Sequence, residues 1–252
     1  MDPGFDQLLE EGSALPFSGW DFSPIRDRWN AGRPPWDYVA IVRRSISSSS
    51  AMLDLGTGGG ELLESLAPLP STVFATEGYP PNLDLARERL TPLGVRVLSS
   101  GPDLRIPLDD RAVDLVLDRH EEFSGPEVYR VLTPEGWFVT QQVGGRNLLE
   151  LRQRFGSAET RPTNDVTGAS ALAAEIARSG LVVHDAQEAV YAGSFRDVGA
   201  LVYFLRAAPW EVPGFSVTEM RGTLREIHEE IRRSGSFRVT THRLLVLAQR
   251  PA

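Results

Sequence analysis

One junction limits what this chain can fold into. The apolar run Ala51-Met52-Leu53-Asp54-Leu55 stops at Gly56-Thr57-Gly58-Gly59-Gly60, and Glu61 then opens a helical pattern. A short buried strand running straight into Gly-x-Gly-x-Gly and a helix makes a tight turn whose backbone can approach a ligand closely. Such turns lie at the carboxyl ends of parallel strands, where open α/β sheets bind ligands.

The rest of the chain repeats the alternation. The first helix, over 60–67, is stopped by Pro68 and Pro70, and Ser71–Thr76 reads as a second strand. Leu83, Ala86 and Leu90 mark one face of a helix, Val95–Leu98 a third strand, and Ala112–Leu117 a fourth, broken only by Asp114. A helix near Pro126–Leu132 and the turn Thr133-Pro134-Glu135-Gly136 lead to a fifth strand, Trp137–Val143. Helices at 147–155 and 168–179 follow, the second closed by Gly180, and Leu181-Val182-Val183 begins a sixth strand. Residues 193–236 carry two helical patterns, Val198–Leu205 and a stripe of Val217, Met220, Leu224, Ile227 and Ile231. The chain ends in an alternating strand, Phe237–Ala248. Together these imply a mostly parallel sheet with helices on both faces. Residues 1–50 form a polar and aromatic lead-in, with Pro34-Pro35 and a Ser47–Ser50 run.

At 252 residues the chain suits one large α/β domain and leaves little room for a second. Its net charge of −8 argues against nucleic acid as the main partner, and all 26 basic residues are arginines. Cysteine is absent, so disulfides, thiolate metal sites and cysteine nucleophiles are excluded. No apolar stretch approaches the ~20 residues that span a bilayer. The opening Met1-Asp2-Pro3-Gly4-Phe5-Asp6 lacks the basic and apolar regions of a secretory signal. A cytoplasmic protein without membrane attachment is expected.

Two features bear on the ligand. The dinucleotide fingerprint Gly-x-Gly-x-x-Gly needs a glycine where Glu61 stands, so an NAD-dependent oxidoreductase fails on spacing. An acid at that helix start is a poor neighbour for a pyrophosphate but is tolerable for a zwitterionic sulfonium. Glu77, 17 residues after Gly60 at the end of the second strand, can accept hydrogen bonds from both hydroxyls of a ribose. The loop and the acid together indicate a nucleoside-containing cofactor.

With these motifs in order the chain resembles the class I S-adenosylmethionine (SAM)-dependent methyltransferases. Leu53–Gly60 looks like their first motif and Glu77 like their ribose-binding acid. Arg105–Asp110 followed by Val113–Val116 is similar to their "LPF…FDLV" segment, and Glu127–Phe138 resembles their "RVLKPGG" turn. The resemblance covers roughly 50–145. It implies a Rossmann-like α/β three-layer sandwich with a seven-stranded, mostly parallel sheet whose last strand, 237–248, runs antiparallel. On this reading 1–252 is a single methyltransferase domain, with an N-terminal lid at 1–50, a SAM-binding core at 51–145 and a substrate cap at 193–236.

The resemblance also implies roles. Asp54 braces the loop, Gly56, Thr57, Gly58 and Gly60 line the cofactor, and Glu77 with Gly78 hold the ribose. The family's adenine-binding acid follows a glycine directly; here Pro102 follows Gly101, and Asp103 comes one position late as the candidate. Asp118 and the residues after it lie where relatives touch the methionine part of SAM or the substrate, and His120 is a candidate general base or a residue of a solvated loop. Trp36 would close over SAM, Gln141 would donate to substrate, and Tyr203 with Trp210 would line an acceptor pocket. No metal is expected. The implied activity is methyl transfer from SAM, leaving S-adenosylhomocysteine, to a small-molecule acceptor. An RNA methyltransferase and a catalytically silent SAM-binding protein remain as alternatives.

Overall fold

The computed structural model describes residues 4–157 and 168–252. Eight strands form one sheet: β1 (Trp29–Asn30), β2 (Ala51–Leu55), β3 (Thr72–Glu77), β4 (Arg96–Ser99), β5 (Val113–Arg119), β6 (Leu132–Val143), β7 (Val182–Phe195) and β8 (Phe237–Gln249). Their order is β1-β7-β8-β6-β5-β2-β3-β4. Strands β2 to β6 pair in parallel, and β8 lies antiparallel on β6, as expected of the last strand. The count is eight rather than seven because two lead-in residues, Trp29 and Asn30, pair antiparallel with Phe195 and Ser194. A two-residue strand has no periodicity to read.

The helices are α1 (Phe5–Ala14), α2 (Tyr38–Ile46), α3 (Glu61–Ser65), α4 (Pro80–Leu90), α5 (Gly125–Val131), α6 (Leu149–Arg154), α7 (Ala169–Arg178), α8 (Val198–Ala207) and α9 (Arg221–Ser234). Leu224, Ile227 and Ile231 form the buried face of α9, whereas Val217 and Met220 precede the helix. No described helix is long and apolar enough to cross a membrane.

The described residues divide into two compact units. Residues 35–144, 168–189 and 243–252 make the parallel-sheet unit. Its strands read as near-continuous apolar runs because both faces are covered, and Leu53, Val116, Phe138, Leu172, Ile176 and Val246 are all buried in one cluster. Asp114, the polar interruption of β5, accepts hydrogen bonds from the Ser49 and Ser50 hydroxyls and the Ser50 amide. The serine run is thus the partner of the acid that breaks the strand. Arg130 on α5 donates to the Ile106 and Leu108 carbonyls, and Glu127 accepts from the Ile106 amide, so one helix holds the irregular connection between β4 and β5.

Residues 4–34, 145–157 and 190–242 make the second unit, so the first part of the lead-in groups with the late helices. Its core gathers Leu8, Leu9, Phe195, Leu201, Phe204, Leu224 and Ile227. Helices α1 and α8 approach through facing glycines: a Cβ on Gly12 would overlap the Gly199 carbonyl, and one on Gly199 would sit 2.7 Å from the Leu8 oxygen. Arg206 caps the end of α1 by donating to the Gly12 and Leu15 carbonyls at 2.9 Å each. Gly12→Ala should therefore force α1 off α8 and destabilise by about 1–3 kcal/mol, read as a lowered midpoint in urea unfolding. An unchanged midpoint would disprove this packing.

Candidate active site in the parallel-sheet unit

Strand β2 is flanked by β3 on one side and β5 on the other. The chain leaves β2 outward through β3 and β4 and returns at β5, so the order reverses between β2 and β5. A crevice opens outside the carboxyl ends of the strands at such a switch point. Two turns border it, the glycine loop after β2 and residues 119–122 after β5.

The glycine loop depends on backbone freedom. Gly56, Gly58 and Gly60 all have positive φ, of 61°, 62° and 85°, conformations that side chains resist. A Cβ on Gly56 would collide with the Glu121 side chain, and one on Gly60 would meet Leu90 at 2.8 Å. The loop is tied to β3, since the Thr57 amide donates to the Thr76 carbonyl at 2.9 Å and the Gly56 amide to the Thr76 hydroxyl at 3.3 Å. Glu61 turns away and pairs with Arg89, which also donates to the Gly59 carbonyl. The acid that breaks the dinucleotide fingerprint thus helps to anchor the loop. The Thr57 hydroxyl is buried in the turn beside Asp54.

Carboxylates concentrate around this loop. Asp54, Glu77 and Asp118 are 6%, 6% and 0% exposed. Burial pushes Asp54 up to about 6, with the Thr57 hydroxyl and then the Arg119 charge opposing. Glu77 is raised by burial, although amides of Tyr79, Gly58 and Gly78 favour its charged form. Glu121 is pushed up to about 7 by burial and then by the negative charges of Glu77 and Glu122. Asp118 is raised well above the ordinary range, again chiefly by burial. Its oxygens accept from the Glu121 amide at 3.1 Å, the Thr140 hydroxyl at 3.2 Å and the Gln142 amide at 2.9 Å. That carboxylate is therefore spent on its own turn, and it braces the crevice rather than facing into it. Among the described residues no three His, Asp or Glu side chains are grouped to hold a metal ion.

The far side is built from α2 and β6. Asp37 caps α2 by accepting from the Ala40 amide. On either side of it, the Trp36 indole donates to Gln141 Oε1 at 2.8 Å, and the Tyr38 hydroxyl donates to the Asp118 carbonyl at 3.1 Å. Gln141 Nε2 lies 3.1 Å from His120 Nε2, and the His120 amide donates to the Gln141 carbonyl at 2.8 Å. Gln141, expected to donate to substrate, is thus engaged by Trp36 and His120. His120 has a φ of 71°, uncommon for a residue other than glycine. His120 stands exposed on its turn. Desolvation of its ring by the neighbouring side chains, then the charges of Arg243 and Arg119, lower its pKa.

The remaining expected residues lie elsewhere. Gly78 stands beside Ser100 at the ends of β3 and β4, and Asp103 is exposed in an open groove with Ser99, Gly101 and Arg105. Tyr203 and Trp210 belong to the second unit. Tyr203 is 1% exposed, and its hydroxyl donates to the Asp21 and Pro16 carbonyls; it is a core residue there, not a pocket lining. Trp210 packs edge-on against Trp20 at 5.6 Å. From the sequence Glu121 has no role of its own, lying only among the residues after Asp118, and Tyr38 stands beside Trp36 in the segment expected to close over SAM. The only hint of Glu121 was an acidic pair following His120.

Comparison with known proteins agrees with this geometry. Residues 53–140 match the family described as "Methyltransferase domain". The match covers about a third of the chain. An uncharacterised methyltransferase-like protein of Schizosaccharomyces pombe is 35% identical over 123 residues, which are 46% of this chain and 46% of that protein. An uncharacterised methyltransferase of Mycobacterium tuberculosis is 35% identical over 114 residues, 43% of this chain and 46% of the relative. The chain thus spans less than half the length of the curated relatives it matches. Among solved structures, a candidate methyltransferase from Bacillus halodurans superposes with a TM-score of 0.61 at 17% identity, covering 85% of this chain and 99% of that one. The [4+2]-cyclase SpnF superposes at 0.54 with 14% identity, covering 85% and 80%. These two show the fold alone.

The raised carboxyl groups of the crevice set a pH dependence. The folded-state pKa of Asp54, about 6, exceeds its ordinary value of 3.8. Its stabilising contribution is therefore full below pH 4 and lost as pH rises through 6. The difference corresponds to roughly 3 kcal/mol. Asp54→Asn should be more stable than the wild type at pH 8, with the gap closing towards pH 4. Equal pH profiles in thermal unfolding would refute the burial cost assigned to Asp54.

Proposed function

We propose that this protein is a SAM-dependent methyltransferase acting on a small-molecule acceptor. The observation that carries the reading is the charge of the crevice. A glycine turn with the Glu121 side chain over Gly56 is ringed by Asp54, Glu77 and Glu121, and desolvation has raised all three. Such a ring repels a pyrophosphate and favours a ligand bearing positive charge. SAM carries a sulfonium and an α-ammonium, and it supplies a methyl group already activated for displacement.

The residues present fit that ligand. The Thr57 hydroxyl is buried at the turn beside Asp54, whose charged form it supports. At Gly56 a side chain would fill the space. In the proposed arrangement Asp54, Gly56, Thr57, Gly58 and Gly60 hold the amino-acid end, Glu77 and Gly78 the ribose, and Asp103 the adenine. Asp118 acts through the turn it braces and Trp36 through Gln141. The chain's contribution to the reaction is alignment and exclusion of water, and alignment alone can supply on the order of 7–11 kcal/mol. A small-molecule acceptor agrees with the net charge of −8, which disfavours a polyanion.

Calorimetry with SAM, S-adenosylhomocysteine and NAD tests the cofactor. Micromolar binding of the first two and none of NAD is expected, and Glu77→Ala should weaken SAM by about 10–100-fold through lost charge-assisted hydrogen bonds. NAD binding without SAM binding would overturn the assignment. Turnover needs its own measurement with methyl-labelled SAM, because a cyclase shares the fold.

Proton linkage offers a further check. Glu121, pushed up to about 7, is charged above that pH and neutral below it, so a cationic ligand should bind more weakly as pH falls from 8 to 6. Glu121→Gln should flatten that dependence. Affinity rising on acidification would contradict an anionic crevice.

A further inference from the structure

The hydrogen bonds around His120 fix more than its position. The Trp36 indole nitrogen is a donor only. Its 2.8 Å contact therefore identifies Oε1 of Gln141 and leaves the amide NH₂ facing His120. That NH₂ is also a donor only, so His120 Nε2, 3.1 Å away, must accept and cannot carry a proton. A neutral imidazole then keeps its proton on Nδ1, and Nδ1 engages no protein group among the described residues. The basic lone pair is already occupied, and protonating it would set N–H against N–H unless Gln141 turned over, which would break the Trp36 bond.

We propose that His120 is a fixed hydrogen-bond donor through Nδ1–H, and that the acceptor it orients presents an oxygen already ionised at neutral pH, a carboxylate. This rests on the methyltransferase reading above and replaces the expectation of a general base. Two arginines beside the imidazole suit an anion: Arg119 precedes it and stacks over Tyr38 at 5.9 Å, and Arg243 adds a second positive charge from β8. Glu121 and Glu122, which are of the opposite sign and follow on the same turn, face the cationic cofactor in the proposed arrangement. In the reaction a carboxylate lone pair forms the bond to the methyl carbon while the carbon–sulfur bond breaks towards sulfur. The anion and the sulfonium become an ester and a neutral thioether. No proton is released, so no base is needed.

The test is ¹⁵N nuclear magnetic resonance on histidine-labelled full-length protein saturated with S-adenosylhomocysteine. The His120 signals are assigned by their loss in His120→Gln. Nδ1–H with an unprotonated Nε2 from pH 6 to 8 is expected; an Nε2–H tautomer or an imidazolium at pH 7 would overturn the proposal. Gln141→Glu places an acceptor opposite Nε2 and should reverse the tautomer and raise the pKa by more than one unit. If that variant does not fold, Trp36→Phe frees the amide to rotate and should give a tautomer mixture; a single unchanged tautomer counts against the lock. Titrating benzoate, benzyl alcohol and benzylamine should shift Nδ1 with benzoate at a concentration at least tenfold below the other two. Equal or stronger response to the amine or the alcohol, or no response to any of them, rejects the acceptor class. Failure to bind S-adenosylhomocysteine with Nδ1–H intact defeats the cofactor reading alone, and a reversed tautomer with it bound defeats this inference alone.

Discussion

The site depends on holding carboxylates out of water at the carboxyl edge of a parallel sheet. A buried carboxylate is costly unless something compensates it. Asp118 is compensated internally, by an amide, a hydroxyl and a side-chain amide. Asp54 is only partly compensated, by the Thr57 hydroxyl and the Arg119 charge, and is pushed up to about 6. Glu121 stands exposed at the rim, where partial desolvation and the charges of Glu77 and Glu122 push it up to about 7. A fold retains such a cost when a ligand relieves it, and a cation does so directly. The crevice is thus electrostatically incomplete in a way that selects its ligand by sign before any shape is considered.

Around that constraint the scaffold is local and economical. The same turn that exposes Glu121 is pinned by Asp118, by Tyr38 from α2 and by Gln142 from β6. Arg89 ties α4 to the glycine loop, and Arg130 ties α5 to the connection after β4. In each case an arginine or a carboxylate closes main-chain groups that an irregular loop would leave unmet. Rigid turns on a covered sheet place side chains more accurately than free loops do. That accuracy makes the orientation of a single amide, Gln141, chemically decisive for His120.

Much of the parallel core was legible in the linear order of residues. The Leu53–Gly60 junction, the acid at Glu77 and the antiparallel last strand depend on local patterns: apolar runs, glycines and a fixed spacing. The two-residue β1 was not legible, since it exists only because Phe195 and Ser194 lie beside it. Nor was the use of Tyr203, whose hydroxyl looks like a pocket group until the Pro16 and Asp21 carbonyls are seen to occupy it. The grouping of the first 34 residues with the late helices follows from close contacts such as Gly12 on Gly199, which no periodicity announces.

The amino-acid sequence by itself determined the strand–glycine–helix turn, the parallel sheet and the departure from the dinucleotide fingerprint at Glu61, because each follows from backbone freedom and short-range spacing. Tertiary structure alone decided which acids are braced and which are left charged against the loop. It also decided which nitrogen of His120 bears the proton. Those outcomes depend on burial and on donors arriving from residues about 20 to 100 positions away, as Trp36 does for Gln141, and on hydrogen-bond complementarity that exists only once the strands are side by side.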